Sequence, residues 1–206
     1  MLSKILLLYA HPSPSRSEVN QPLFQVAKQL PFVTAVDLYH EYPKLDIDIE
    51  REQQRLLDHD LIIFQFPFFW YSTPAILKEW QDLVLEYGFA YGSEGNALHG
   101  KRFMCAITTG GSEKAYRADG YNHFTIKELL QPLEQTANIT GMKYLPPFAL
   151  FGSRTAVEEG RLEAHKQCWQ RTLTALYQQG YDLAGVQAQP TLNDAVDAQM
   201  LNPQED

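Results

Sequence analysis

The chain has 206 residues, 45% of them hydrophobic and 20% charged, which is enough for one domain burying about 70% of its unfolded surface. Its 17 Lys and Arg against 25 Asp and Glu leave a formal net charge of −8 at pH 7, a field that repels polyanions and argues against general affinity for nucleic acid or anionic lipid. The two cysteines, Cys105 and Cys168, form no C-x-x-C; a disulfide framework and a zinc site are not indicated, and a reducing compartment fits.

Taken in chain order, apolar runs of strand length alternate with segments of helical period. Lys4 to Ala10 is continuous and apolar, as a strand covered on both faces would be. A helix is expected over Asn20 to Leu30, with Asn20 as cap and Pro22 in the first turn, where its missing N–H costs little. Val33 to Leu38 reads as a second strand, Ile49 to Leu57 as a short helix and Leu61 to Phe66 as a third strand. Thr73 and Pro74 supply a cap and a first helical position for Ala75 to Glu86. Arg102 to Thr109 gives a fourth strand; Thr125 and Glu128 form a T-x-x-E capping box for a helix to about Asn138, kinked at Pro132. Met142 to Gly152 reads as a fifth, edge-like strand because of its prolines, and Thr155 to Gln179 as a long amphipathic helix.

Five β-α pairs predict an α/β domain: a flavodoxin-like open parallel five-stranded sheet of order 2-1-3-4-5, helices on both faces, over residues 1–180. Residues 181–206, rich in Gln, Asn, Asp and Pro, read as a mobile polar tail. No apolar run approaches a membrane span and the N-terminus lacks a signal-peptide pattern, so the expected location is the cytoplasm.

In such a sheet ligands bind beyond the carboxyl ends of the strands, where the strand order reverses. Three loops meet there. The first, His11 to Asn20, joins a strand to a helix N-terminus and carries Ser13, Ser15, Arg16 and Ser17, the makings of a phosphate site; a merely capped helix start is the competing reading. The second, Phe68 to Tyr71 with Ser72 and Thr73, places Phe68, Phe69, Trp70 and Tyr71 in sequence. These rings either fill the core or wall a flat amphipathic plate, and the isoalloxazine of a flavin is such a plate. The third loop, Thr108-Thr109-Gly110-Gly111, lets a backbone approach a ligand closely.

Other signals are set aside. Gly95, Gly100 and Lys101 come near the phosphate-loop spacing, but Arg102 stands where Ser or Thr is required and the stretch precedes a strand. Asn138-Ile139-Thr140 matches a glycosylation acceptor without relevance in the cytosol, and the six histidines lack metal-ligand pairing.

At these loops the sequence resembles the flavodoxin-like NAD(P)H:quinone oxidoreductase (DT-diaphorase) family. Within it, the sequence is similar to the bacterial ancillary oxidoreductase subunits of glutathione-regulated potassium-efflux systems. The resemblance runs from about Lys4 to Phe151 and rests on "YAHPxPxxSxxN", "LYxxYPxxxIDIxxEQ" (Leu38 to Gln53), "WYSxPxxLKxWxDxV", "GFAYGxxGxALHGK", "TTGG" and "LPPFAL". It implies a homodimer that binds FMN, or alternatively FAD. The implied cofactor contacts are His11, Ser17, Glu18, Val19 and Asn20, then Phe68, Phe69, Trp70 and Tyr71, then Thr108, Thr109, Gly110 and Gly111. It implies catalytic roles for Tyr116 and for His123, the latter one position off the family's spacing. The activity implied is ping-pong, two-electron hydride transfer from NADH or NADPH through flavin N5 to a quinone, no metal taking part. The alternative is a regulatory subunit docking on a potassium-efflux antiporter at the cytoplasmic side of the inner membrane, for which Glu86 to Lys101 is the candidate surface.

Overall fold

The computed structural model describes residues 3–201. Strand β1 (Ile5–Tyr9) is buried at every position. Ile5, Leu7 and Tyr9 join one apolar cluster while Leu6 and Leu8 join another on the opposite face. Successive side chains of a strand point to opposite faces, so an unbroken apolar run is what double coverage demands.

β1 lies between β2 (Val33–Asp37) and β3 (Leu61–Pro67), and β4 (Arg102–Thr108) pairs with β3, all in parallel. The expected fifth strand is split. β5 (Lys143–Tyr144) pairs with the start of β4 and β6 (Phe148–Leu150) with its end. Between them stand Pro146 and Pro147, which have no N–H to give a continuous ladder. The path β2-β1-β3-β4-β5, with β6 also on β4, is the expected doubly wound order.

α1 (Asn20–Lys28) and α7 (Arg161–Gln178) cover one face; α3 (Ile49–Asp58), α4 (Ala75–Val84) and α6 (Gln131–Ile139) cover the other. Several boundaries differ from expectation for local reasons. α1 is capped by Val19, because the Asn20 side chain turns inward to Thr108 instead of back onto the helix. Pro74, not Thr73, occupies the cap position of α4, and no side chain bonds there. β2 stops at Asp37, whose carboxylate accepts from His40 N at 3.2 Å and opens an extra turn, α2 (Leu38–Glu41). The Thr125–Glu128 capping box is present, but its helix is only α5 (Ile126–Leu129), separated from α6 by Leu130 just ahead of Pro132. α7 begins at Arg161 and not at Thr155, since Gly160 adopts φ +70° and breaks the turn series.

A mobile tail from Tyr181 is corrected outright, its residues 202–206 lying outside the described ones. Asp182 caps α8 (Leu183–Gln187), and a capping box of Thr191 and Asp194 opens α9 (Leu192–Asp197). Val186, Leu192, Ala195 and Leu201 are buried in the same cluster as Trp169 and Phe148, so a division at residue 180 runs through packed side chains. Backbone bonds fix the segment to the sheet: Leu192 N donates to Pro147 O at 2.9 Å, and Ala149 N donates to Asn193 Oδ1 at 2.8 Å. The apolar positions are too few and too widely interrupted for composition to reveal them.

On the other face Glu52 of α3 is fully buried. It accepts from Tyr42 Oη at 2.7 Å, from Trp80 Nε1 at 2.9 Å and from Arg55, joining the segment after α2 to α3 and α4. A buried carboxylate is tolerable only with such a full set of donors.

His165 of α7 is buried with its ring centroid 4.5 Å from that of Phe148. Burial, and after it the charge of Arg161, pushes its pKa down to about 4 from 6.5. The folded state therefore binds fewer protons than the unfolded chain between those values, and the contribution of His165 is lost as pH falls through that window. Urea unfolding is expected to show up to about 3 kcal/mol of lost stability on this account. In a His165→Phe variant the slope of stability against pH between 6.5 and 4 should flatten; an unchanged slope would assign the acid sensitivity elsewhere.

Candidate functional site

The carboxyl ends of β1, β3 and β4 are locked to one another beneath the three loops. Ala10 N donates to Gln65 O and Phe68 N to Thr108 O, both at 2.9 Å. Gln65 Nε2 donates to Asn20 O at 2.8 Å, and Asn20 Nδ2 donates to Thr108 Oγ1. Gln65 is fully buried and Asn20 and Thr108 nearly so, so the bonds are shielded from water and rigidify the platform. Asn20 Oδ1 and Gln65 Oε1 have no partner among the described residues.

In the first loop, His11 is buried and its Nδ1 accepts from Ser13 N at 3.1 Å, which leaves the ring proton on Nε2. Burial pushes its pKa down, so the ring is a neutral donor. Ser17 Oγ accepts from Gln21 N at 3.0 Å. Among the described residues the amides of Glu18, Val19 and Asn20 have no hydrogen-bond acceptor. Three N–H groups without acceptors at the positive end of α1 are a geometry that could hold an anion. Of Glu18 only the backbone faces this arrangement, its side chain being exposed.

The second loop is a strained turn. Trp70 (φ +50°) and Tyr71 (φ +61°) both adopt the left-handed conformation, which costs non-glycine residues about 1–2 kcal/mol each. Trp70 is thereby 92% exposed, while Phe68 is buried. The Phe69 ring meets His11 edge-on at 6.0 Å, which brings the first two loops together.

The third loop is fixed from the far side. Thr109 N donates to Leu150 O at 2.9 Å, and Gly152 N and Ser153 N donate to Gly111 O and Thr109 O at 2.8 Å. Thr109 Oγ1 also donates to Gly111 O at 2.9 Å, so Thr109 is a prop and does not face the cavity. The amides of Gly110 and Gly111 have no acceptor among the described residues.

Loops two and three enclose a cavity of about 560 Å³ lined by Phe68, Phe69, Trp70, Tyr71, Thr108, Gly110, Gly111 and Tyr116, a volume in the range of small-molecule sites. All of these are among the residues anticipated from the sequence. The first loop adjoins the cavity through His11 and Asn20 but does not line it. His123 does not line it either: it is exposed, with φ +61°. Its neighbours Tyr121 and Asn122 line the cavity in its place, and Asn122 Oδ1 accepts from Tyr71 Oη at 3.1 Å. Sequence reasoning also missed Ala115, Ser153 and Arg154, which complete the wall. Tyr116 is buried, and burial pushes its phenol pKa up; it is a neutral donor at ordinary pH.

Residues 3–173 match the family described as flavodoxin-like fold. The chain belongs to the flavodoxin-like fold family. Among similar proteins of this family is the glutathione-regulated potassium-efflux system ancillary protein KefG of Cronobacter sakazakii, 47% identical over 171 residues, which are 83% of this chain and 92% of that one. A crystal structure of general stress protein 14 from Treponema denticola in complex with FMN is 37% identical with TM-score 0.79, covering 84% of this chain and 99% of that one. That of an NADPH-quinone reductase from P. pentosaceus is 36% identical with TM-score 0.73, covering 82% and 96% respectively. The flavodoxin-like match ends ahead of α8 and α9. Among the described residues no helix is long and apolar enough to cross a membrane.

Proposed function

We propose that the chain is an FMN-dependent NAD(P)H oxidoreductase acting on a quinone as a homodimer. The observation that carries this reading is the convergence of three free amides at the start of α1 with an aromatic cavity floored by two glycines whose amides are also free. The similarity to a protein solved with FMN and to a named NADPH-quinone reductase supports it.

The residues present fit the cofactor. Glu18, Val19 and Asn20 amides, with the His11 Nε2–H, would hold a terminal phosphate. Phe68 to Tyr71 would form an apolar wall that excludes water, and the amides of Gly110 and Gly111 would meet the carbonyl edge of a flat ring. A Cβ on Gly111 would stand 3.3 Å from the Tyr116 ring, so a side chain there would crowd this wall. When bound, FMN supplies a two-electron relay between a nicotinamide and a second planar molecule. Tyr116 keeps its proton and so offers a hydrogen bond to negative charge developing beside it, a preorganised donor in a partly dry cavity. The exposed rings of Trp70 and Tyr121 at 92% and 86% line the cavity, an apolar surface suited to a second copy of the chain.

Purified protein incubated with FMN is expected to acquire a flavin spectrum that NAD(P)H bleaches and a quinone restores. In a Tyr116→Phe variant, stopped-flow bleaching should slow about tenfold to a hundredfold, about 1.4–2.7 kcal/mol of barrier. Unchanged bleaching would remove Tyr116 from the chemistry, and a protein that takes up no flavin would end the reading.

The similarity to KefG favours a second role, docking on a potassium-efflux antiporter. The stretch after α4 exposes Tyr87 and Tyr91, whose rings meet edge-on at 5.7 Å, and would be the contact. Loss of co-purification with the antiporter in a Tyr87→Ala variant, with flavin retained, would support it.

A further inference from the structure

The segment after β6 carries two arginines in opposite circumstances. Arg161 is fully engaged: its guanidinium donates to Phe151 O at 3.0 Å and Gly152 O at 2.7 Å and pairs with Glu159 at 2.6 Å. These bonds, with those from Gly152 N and Ser153 N to loop three at 2.8 Å, clamp the backbone from Phe151 to Ser153, immediately ahead of Arg154. Arg154 is thereby set against Gly110, where a Cβ would stand 3.3 Å from its Nε. Unlike Arg161, Arg154 makes no hydrogen bond or ion pair among the described residues. It is also the one formally charged side chain among those lining the cavity, whose other members are aromatic, small or neutral polar.

A guanidinium offers five donors in a planar fork matched to carboxylate, sulfonate and phosphate, and it cannot discharge by losing its proton. Held by its backbone beside an apolar wall, it is placed to read an oxyanion on a molecule whose flat part lies in the cavity. The chain as a whole carries −8, so without a local cation the approach of an anionic partner is opposed.

We propose that Arg154 is the specificity-determining residue of the cavity, selecting planar redox partners that bear an oxyanion. This rests on the oxidoreductase reading given above and names its substrate class. The oxyanion has two sources: the 2′-phosphate of the dinucleotide donor or an acidic substituent of the acceptor.

The test compares two matched pairs on the FMN-loaded full chain, NADPH against NADH and a naphthoquinone sulfonate against the uncharged naphthoquinone. In Arg154→Ala the ratio of kcat/KM between charged and uncharged members should fall about tenfold for one pair, and the pair that moves identifies the source. Arg154→Lys should restore part of the ratio, a point charge replacing the fork. Raising the salt should lower the wild-type ratio and leave that of Arg154→Ala flat. Ratios unchanged within about twofold in both pairs would make Arg154 a solvated rim charge and overturn the proposal. Equilibrium titration without flavin gives an independent answer: quenching of tryptophan fluorescence, of which Trp70 is the exposed source at the cavity, by the sulfonate or by NADPH should weaken about tenfold in Arg154→Ala for the selected partner. No change there overturns the proposal even if the protein binds no FMN, whereas absent flavin uptake with a weakened titration overturns only the oxidoreductase reading.

Discussion

Glu52→Ala should lower the stability of the protein by about 3–5 kcal/mol, the range found when one partner of a buried ionic network is removed. The carboxylate is fully buried, and its loss strands two donors at once, Tyr42 Oη and Trp80 Nε1, and leaves the Arg55 guanidinium with Glu41 alone. Trp80 is itself fully buried and packs edge-on against Phe64 at 5.5 Å, so no local shift can bring its N–H to water. Thermal unfolding should show a midpoint lowered by about 6–20 °C for a chain of this size. Glu41, which is partly exposed and pairs with Arg51 and Arg55 at the rim of the network, is the control. Its alanine variant should lose only about 1 kcal/mol or less. Equal losses in the two variants would show that α2, α3 and α4 are held by apolar contact alone.

The second large effect concerns binding and leaves the fold alone. Gly111→Val should abolish FMN uptake, weakening it by about a hundredfold or more, or about 2.7 kcal/mol. The added Cβ would lie 3.3 Å from the Tyr116 ring and 3.5 Å from Ala115 Cβ, and the methyls beyond it have only the cavity to enter. Gly111 does not have a positive φ, so the backbone accepts valine and its carbonyl keeps the bonds from Gly152 N and Thr109 Oγ1. Quenching of FMN fluorescence on titration measures the loss, and a melting curve close to the wild type confirms that folding survives. FMN bound as tightly by the variant as by the parent would mean that the ring sits elsewhere.

Much of the architecture is legible in the sequence because the sheet is buried on both faces: β1 is an unbroken apolar run and β3 and β4 are nearly so, interrupted by Gln65 and bounded by Arg102 and Thr108, and the alternation of five such strands with helices is that of a doubly wound sheet. Boundaries are less legible where one residue can serve two purposes. Asn20 reads as a helix cap and spends its side chain on Thr108, 88 positions away, a pairing that local sequence cannot announce. Gly160 sits within a run of helix-forming residues and is passed over until its backbone angle is seen. The helices after Tyr181 did carry a signal, the T-x-x-D of Thr191 and Asp194, but a Gln-rich composition outweighed it. In the site, the rings and glycines were visible because such residues are unusual together in a loop. Arg154 follows an edge strand in an ordinary polar connection, and only the bonds of Gly152 and Ser153 to the neighbouring loop bring it to the cavity.

The placement of α8 and α9 along β6 has a consequence for how the molecule coexists with its own copies. A bare outer strand offers a ladder of amides and carbonyls on which a second chain could align. Here Ala149 N and Pro147 O are already engaged by Asn193 and Leu192. The polypeptide thus sheathes this margin of its sheet, and association between subunits by strand pairing is steered away from that side.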